Sequence, residues 1–202
     1  KLHDKIVVAP HGINNSKAKP FKNSPEKYLL FVGTRNRYKN FEVLLKAFGE
    51  IVNEFIDFKL VCVGKPFSSK EIRLQEKLGI LSFIQVHQLN NEELSYAYKN
   101  ASLFVFPSIY EGFGIPCLEA MSNNCRILAS DIKIFREICG DTIYYFNPNN
   151  LTELIKQLRK SLTTEENKQL QNSKYQKVLD SYTWRKSADI HYKSYKKLFE
   201  YE

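Results

Sequence analysis

The sequence predicts an α/β protein: one Rossmann-like, doubly wound parallel sheet with extra helices at its C-terminal end. Three observations carry this. Short apolar runs alternate along the chain with amphipathic stretches. The runs are continuous and rich in β-branched and aromatic residues, as strands buried on both faces should be. Capping pairs recur between them, each placing a short polar side chain three residues before a glutamate. A βαβα order of this kind argues for a parallel sheet.

In chain order, strands are expected at residues 6–9, 28–32, 59–63, 84–86, 103–106, 126–129 and 142–146. Residues 21–25 are polar and proline-bearing and read as a loose connection between the first two. After the second, Phe41, Leu44, Leu45, Phe48, Ile51, Val52 and Phe55 recur at helical spacing and make one apolar face. Further helix starts are marked by Ser68 and Glu71, Asn90 and Glu93, Asn150 and Glu153, and Thr163 and Glu166. From Leu151 onward the pattern is helical, with Tyr182-Thr183-Trp184 as a break before a last helix over residues 187–199. The turn Asn123-Asn124 can take the left-handed conformation that ends a helix.

With 202 residues, 43% hydrophobic and 26% charged, the chain can bury a real core and is globular rather than disordered. Its four cysteines lack metal-ligand spacing and read as reduced, buried thiols of a cytoplasmic protein. There is no signal-peptide pattern and no membrane-spanning run. The net charge of +8 permits acidic lipid, nucleic acid or phosphorylated substrates as partners. Much of the excess is lysine on the late helices, at 168, 174, 177, 193, 196 and 197. Those lysines suit a solvated face or peripheral contact at a membrane surface. No dense basic run interleaved with glycine points to nucleic acid.

Residues 107–121, PSIYEGFGIPCLEAM, hold most of the functional information. An apolar run ends at Pro107, a loop carries Glu111 and Gly112-Phe113-Gly114, and a helix begins near Ile115-Pro116 and carries Glu119. Proline suits a helix's first turn, where its missing N–H would be unpaired anyway. The glycines let backbone N–H groups approach a ligand, and a helix N-terminus favours an anion. Two carboxylates and an anion-binding backbone thus sit at the end of a strand, where open α/β sheets bind ligands. No Asp-x-Asp metal motif and no G-x-x-x-x-G-K-[ST] phosphate loop occurs.

This segment resembles the nucleotide-sugar signature of the group 1 (family four) retaining glycosyltransferases of the GT-B fold. The resemblance rests on Glu111, the Gly-Phe-Gly loop and a second glutamate eight positions on, with Gly33, Lys39-Asn40 and Trp184 in support. It runs from about Val7 to the C-terminus and covers only that family's C-terminal, donor-binding half. It implies that residues 1–202 are one half of a two-domain enzyme, the acceptor half being an N-terminal domain or a partner chain. In the family the last helix crosses back to that N-terminal domain.

The resemblance also implies residue roles. In the loop from Gly33 to Asn40, Arg35, with Arg37 as substitute, and Lys39 would clamp the donor diphosphate, Arg as a planar fork and Lys as a point charge. The plainer alternative for this loop is a solvated basic surface. Glu119 would bind the donor ribose, since a carboxylate can accept from both hydroxyls of a cis diol. Glu111 would face the donor sugar ring. Gly112, Phe113, Gly114 and Ile115 would offer backbone N–H groups, and Val86 to Leu89 would border the base. His87 reads as a pocket-edge or structural residue, and His11 as structural or near the domain cleft. Arg126 stands where the family usually has proline and is given no role. The function so implied is retaining, metal-independent transfer from a nucleotide diphosphate sugar to a glycan or glycolipid acceptor, with no cofactor. A noncatalytic nucleotide-sugar-binding module and a GT-B sugar-nucleotide epimerase are the alternatives.

Overall fold

The computed structural model describes residues 6–14, 16–164 and 167–199, the side chains of 168 and 199 excepted. Six strands form one parallel sheet: β1 (Tyr28–Val32), β2 (Lys59–Val63), β3 (Ile84–His87), β4 (Leu103–Phe106), β5 (Ile127–Ser130) and β6 (Tyr144–Phe146). Their spatial order is β3-β2-β1-β4-β5-β6. The helices between them are α1 (Phe41–Ile51), α2 (Ser69–Lys77), α3 (Asn91–Asn100), α4 (Ile115–Ser122) and α5 (Lys133–Cys139). After β6 come α6 (Leu151–Thr163), α7 (Lys168–Leu179) and α8 (Trp184–Phe199).

Every residue of β1, β4 and β5 is buried, and alternate side chains go to opposite faces. Tyr28, Leu30, Phe104 and Phe106 pack with α3, α4 and Tyr175, while Leu29, Phe31, Leu103 and Val105 pack with α1 and α6. That two-sided burial is why these strands read as unbroken apolar runs. The strand order reverses between β1 and β4, and ligands bind open α/β sheets in the crevice at such a reversal. The loop from Gly33 leaves β1, and the loop carrying Glu111 leaves β4. The topology therefore brings the two sequence-selected segments to one place.

The expected strand at 6–9 is a correction. The segment has no regular secondary structure and lies outside the sheet, with Ile6, Val7 and Val8 exposed, Val8 at 79%. A four-residue apolar run carries no signal for whether a neighbouring strand exists to receive it. The expected strand at 126–129 lies one residue later, β3 runs one further, and β6 starts two later because Thr142 turns back onto the Cys139 carbonyl. Helix α1 stops at Ile51, and α8 starts at Trp184 rather than 187.

The caps at Ser68 and Asn90 are full capping boxes. Asn150 accepts from the Glu153 N–H. Thr163, by contrast, is the last residue of α6, and Asn167 caps α7, accepting from the N–H groups of Gln169 and Leu170. Glu166 lies outside the described residues. Asn124 is left-handed, at φ 55°, as the turn after α4 requires. The connection at 21–25 is anchored: Phe21 is buried, with its ring edge-on to His87 at 4.9 Å. Burial lowers the His87 pKa, which suits its structural role. Arg126 also has work. Its Nε donates to the Ser102 carbonyl and its Nη1 to the Thr164 carbonyl, tying β5 to the ends of α3 and α6.

Gly12 makes the tightest backbone approach. A Cβ built there would lie 2.1 Å from the Trp184 backbone nitrogen and 2.6 Å from its Cα. The Ile13 N–H also donates to the Tyr182 carbonyl at 3.2 Å. Gly12→Ala is therefore expected to displace α8 from the 11–14 segment. The expected readout is a lower Tm and early amide exchange at Ile13, with the exchange of β1 and β4 unchanged. Undisturbed protection at Ile13 would refute it.

Candidate active site

Strand β1 ends at Gly33, whose N–H donates to the Val63 carbonyl. The chain then makes a 3-10 turn, Arg37–Lys39, and enters α1 through a left-handed Asn40 at φ 53°. The Asn40 side chain donates to the Pro148 carbonyl, which holds that corner. Strand β4 ends at Pro107, and its loop enters α4 through Gly114 at φ 97°, a conformation that β-carbon-bearing residues rarely adopt. A Cβ at Gly114 would also come within 3.0 Å of the Phe135 ring. Gly112, in contrast, faces open space. The Ile109 N–H donates to the Tyr38 carbonyl at 2.7 Å, so the two loops are joined backbone to backbone.

At their junction, Lys39 Nζ lies 2.6 Å from Glu111 Oε1, each side chain only 11% exposed. The ammonium also sits over the Phe106 ring at 5.0 Å. A cation and a carboxylate so withdrawn from water interact strongly, and either can be redirected to a ligand that replaces its partner.

Arg35 does something different. Its side chain is 6% exposed. Nε donates to Glu71 Oε1 at 2.5 Å, Nη2 donates to the carbonyls of Lys65 and Pro66, and the guanidinium lies 4.8 Å from the Phe67 ring centre. Burial works to raise the Glu71 carboxyl, but bonds from Ser68 and then from Arg35 hold it below its ordinary pKa. Arg35 thus locks the end of β2 to the start of α2. Arg37 is exposed, and its side chain has no hydrogen-bond or ion-pair partner among the described residues. Both arginines line a cleft of about 860 Å³, together with Asn40, Lys46, Lys65 and Lys70.

On the other side of the Glu111 loop lies a cleft of about 340 Å³, lined by His11, Ser95, Tyr98, Ile115, Glu119 and Trp184 among others. Burial raises the Glu119 pKa, and the Tyr98 hydroxyl, donating to Oε2 at 3.1 Å, opposes that shift. The half-buried Phe113 ring is packed edge-on against Tyr182 at 5.7 Å and His11 at 6.0 Å.

Lys39, Asn40, Glu111 and the 112–115 loop are therefore brought together, with Glu119 one helical turn along and Arg37 at the neighbouring cleft. Val86 packs on the α1 side of the sheet and Leu89 on the α3 side, and neither is among the described residues lining either cleft. The cleft beside Glu119 is lined from α3 by Asn91, Ser95 and Tyr98. Sequence reading missed these because a capped amphipathic helix shows which face is apolar, not which polar residues meet a cleft. All four cysteines are buried free thiols, and burial pushes Cys125 up to about 12. Among the described residues no group of three or more His, Cys, Asp or Glu is placed to hold a metal ion. No helix among them is long and apolar enough to cross a membrane.

The family model for glycosyl transferases group 1 matches residues 12–178. The O-antigen chain mannosyltransferase RfbU of Salmonella typhimurium is 30% identical over 153 residues, covering 73% of this chain and 41% of the relative. The O-antigen chain mannosyltransferase B of Escherichia coli is 27% identical over 175 residues, 85% of this chain and 46% of the relative. Among solved structures, sucrose-phosphate synthase from Thermosynechococcus elongatus superposes with a TM-score of 0.79 at 24% identity, over 96% of this chain and 53% of that one. The sheet at the heart of this chain is the Rossmann-like sheet expected from the sequence. The chain belongs to the group 1 glycosyltransferase family, and it spans less than half the length of the two mannosyltransferases.

Proposed function

We propose that the chain is the donor-binding half of a retaining, metal-independent glycosyltransferase that uses a nucleotide diphosphate sugar. The observation that carries this reading is the Lys39–Glu111 pair, set at the sheet's reversal beside the Glu119 cleft. In this reading Glu119 takes the ribose hydroxyls, and the 112–115 backbone and α4 face the diphosphate. Lys39 and Arg37 neutralise the charge that grows on the leaving diphosphate, and Glu111 exchanges its hold on Lys39 for the sugar. The bond from the anomeric carbon to the diphosphate breaks as the acceptor oxygen attacks the same face. The acceptor proton passes to the departing phosphate oxygen. Preorganised charges of this kind contribute about 3–4 kcal/mol per good donor. The relatives named as mannosyltransferases of O-antigen chains support a hexose donor and a glycan or glycolipid acceptor. The acceptor side belongs to an N-terminal domain or a partner chain. Assembly at the cytoplasmic membrane face suits the lysine-rich late helices.

Calorimetry in chelator with nucleoside diphosphates and their 2′-deoxy counterparts tests the site. The wild-type chain is expected to prefer the ribonucleotide, because each hydrogen bond to a carboxylate is worth about 1.5–3 kcal/mol. Glu119→Gln keeps size but loses charge and one acceptor, so that preference should shrink by about tenfold. A preference unaltered by Glu119→Gln would remove Glu119 from the ribose site.

A further inference from the structure

We propose that Tyr98 is the positioning residue that fixes Glu119 as a hydroxyl acceptor, and thereby sets the smaller cleft's selectivity for ribose over deoxyribose. This rests on the assignment of that cleft to the nucleoside. Tyr98 is fully buried, and its ring is edge-on to Phe104 at 5.3 Å, so its hydroxyl has a fixed direction. That hydroxyl donates to Glu119 Oε2 at 3.1 Å. Among the described hydrogen bonds none reaches Oε1, which is left for a ligand. The backbone under Glu119 is also held: the Ser122 hydroxyl and the Asn123 amide both donate to its carbonyl oxygen. A buried carboxyl without the phenol would lean toward its neutral form and rotate more freely. A neutral carboxyl keeps only part of its acceptor capacity for a diol.

The electrostatics point the same way. Burial raises the Glu119 pKa and the Tyr98 bond lowers it. The phenol itself is pushed up by burial and then by Glu119, so it stays a donor. Other titratable groups nearby are His11, which lines the cleft, and the Cys117 and Cys125 thiols beside the phenol. Both thiols are raised by burial and stay neutral. Glu119 accepts best as a carboxylate. Ribonucleotide binding should therefore weaken as pH falls through its pKa, and removal of the Tyr98 hydroxyl should move that limb to higher pH.

The test is Tyr98→Phe, which keeps the ring packing, with melting temperature as the check on folding. ADP, GDP and UDP and their 2′-deoxy forms are titrated across the acid and neutral range, alongside wild type and Glu119→Gln. The expected result is a ribose preference reduced about fivefold, less than the tenfold expected of Glu119→Gln because the carboxyl itself remains, and an acid limb shifted upward. If Glu119→Gln lowers the preference and Tyr98→Phe leaves both preference and acid limb in place, the proposal fails alone. If Glu119→Gln also has no effect, or wild type binds none of the six nucleotides, the nucleoside assignment fails and this proposal with it.

Discussion

Lys39→Ala is expected to weaken binding of a nucleoside diphosphate by about 100-fold while changing nucleoside binding by less than about threefold. The ammonium is nearly buried, lies over the Phe106 ring, and is 2.6 Å from Glu111. A cation so placed acts through a poorly screening medium, so its loss is felt more than that of a surface lysine. Glu111→Gln provides the contrast. It frees Lys39, so the bare diphosphate should bind no less tightly, whereas the sugar-bearing donor should bind more weakly. Equal losses for nucleoside and diphosphate on Lys39→Ala would place Lys39 away from the phosphates.

Arg35→Ala should instead act on the fold. It removes the partner of a largely buried carboxylate and strips two carbonyls of their donor. Breaking such a pair costs about 3–5 kcal/mol. For a domain of this size that is a drop of roughly 6–20 °C in Tm. Arg35→Lys should recover little, because an ammonium cannot reproduce the planar fork that reaches Glu71 and two carbonyls together. Below the melting transition, diphosphate affinity should change far less than in Lys39→Ala. A variant with wild-type Tm and lost diphosphate binding would return Arg35 to the phosphate site.

These two residues show how far the sequence could be read. Lys39 is marked by local signals, a strand, a glycine and a helix start, and the structure sets it against Glu111 at the sheet's reversal. Arg35 sits in the same loop and looks equivalent there. Its partner Glu71 lies 36 residues on, in another βα unit, where it already reads as half of a capping box. Nothing in that box shows the second contact. Strands followed the same rule. Residues 103–106 and 6–9 are both short apolar runs, yet only the first has β1 and β5 on either side. Periodicity reports the faces of an element and is silent on its neighbours. For that reason spacing brings out Glu111 and Glu119, while the contact of Tyr98 with Glu119 lies beyond it.

The bond from the Ile109 N–H to the Tyr38 carbonyl has a wider consequence. It joins the two site loops without calling on any side chain. Their spacing is thus insulated from the identity of the residues on them. Thr34, Tyr38 or Ile109 could change without altering how far Lys39 lies from Glu111. Such a linkage lets the side chains of both loops change by ordinary point mutation while the spacing of Lys39 and Glu111 is kept.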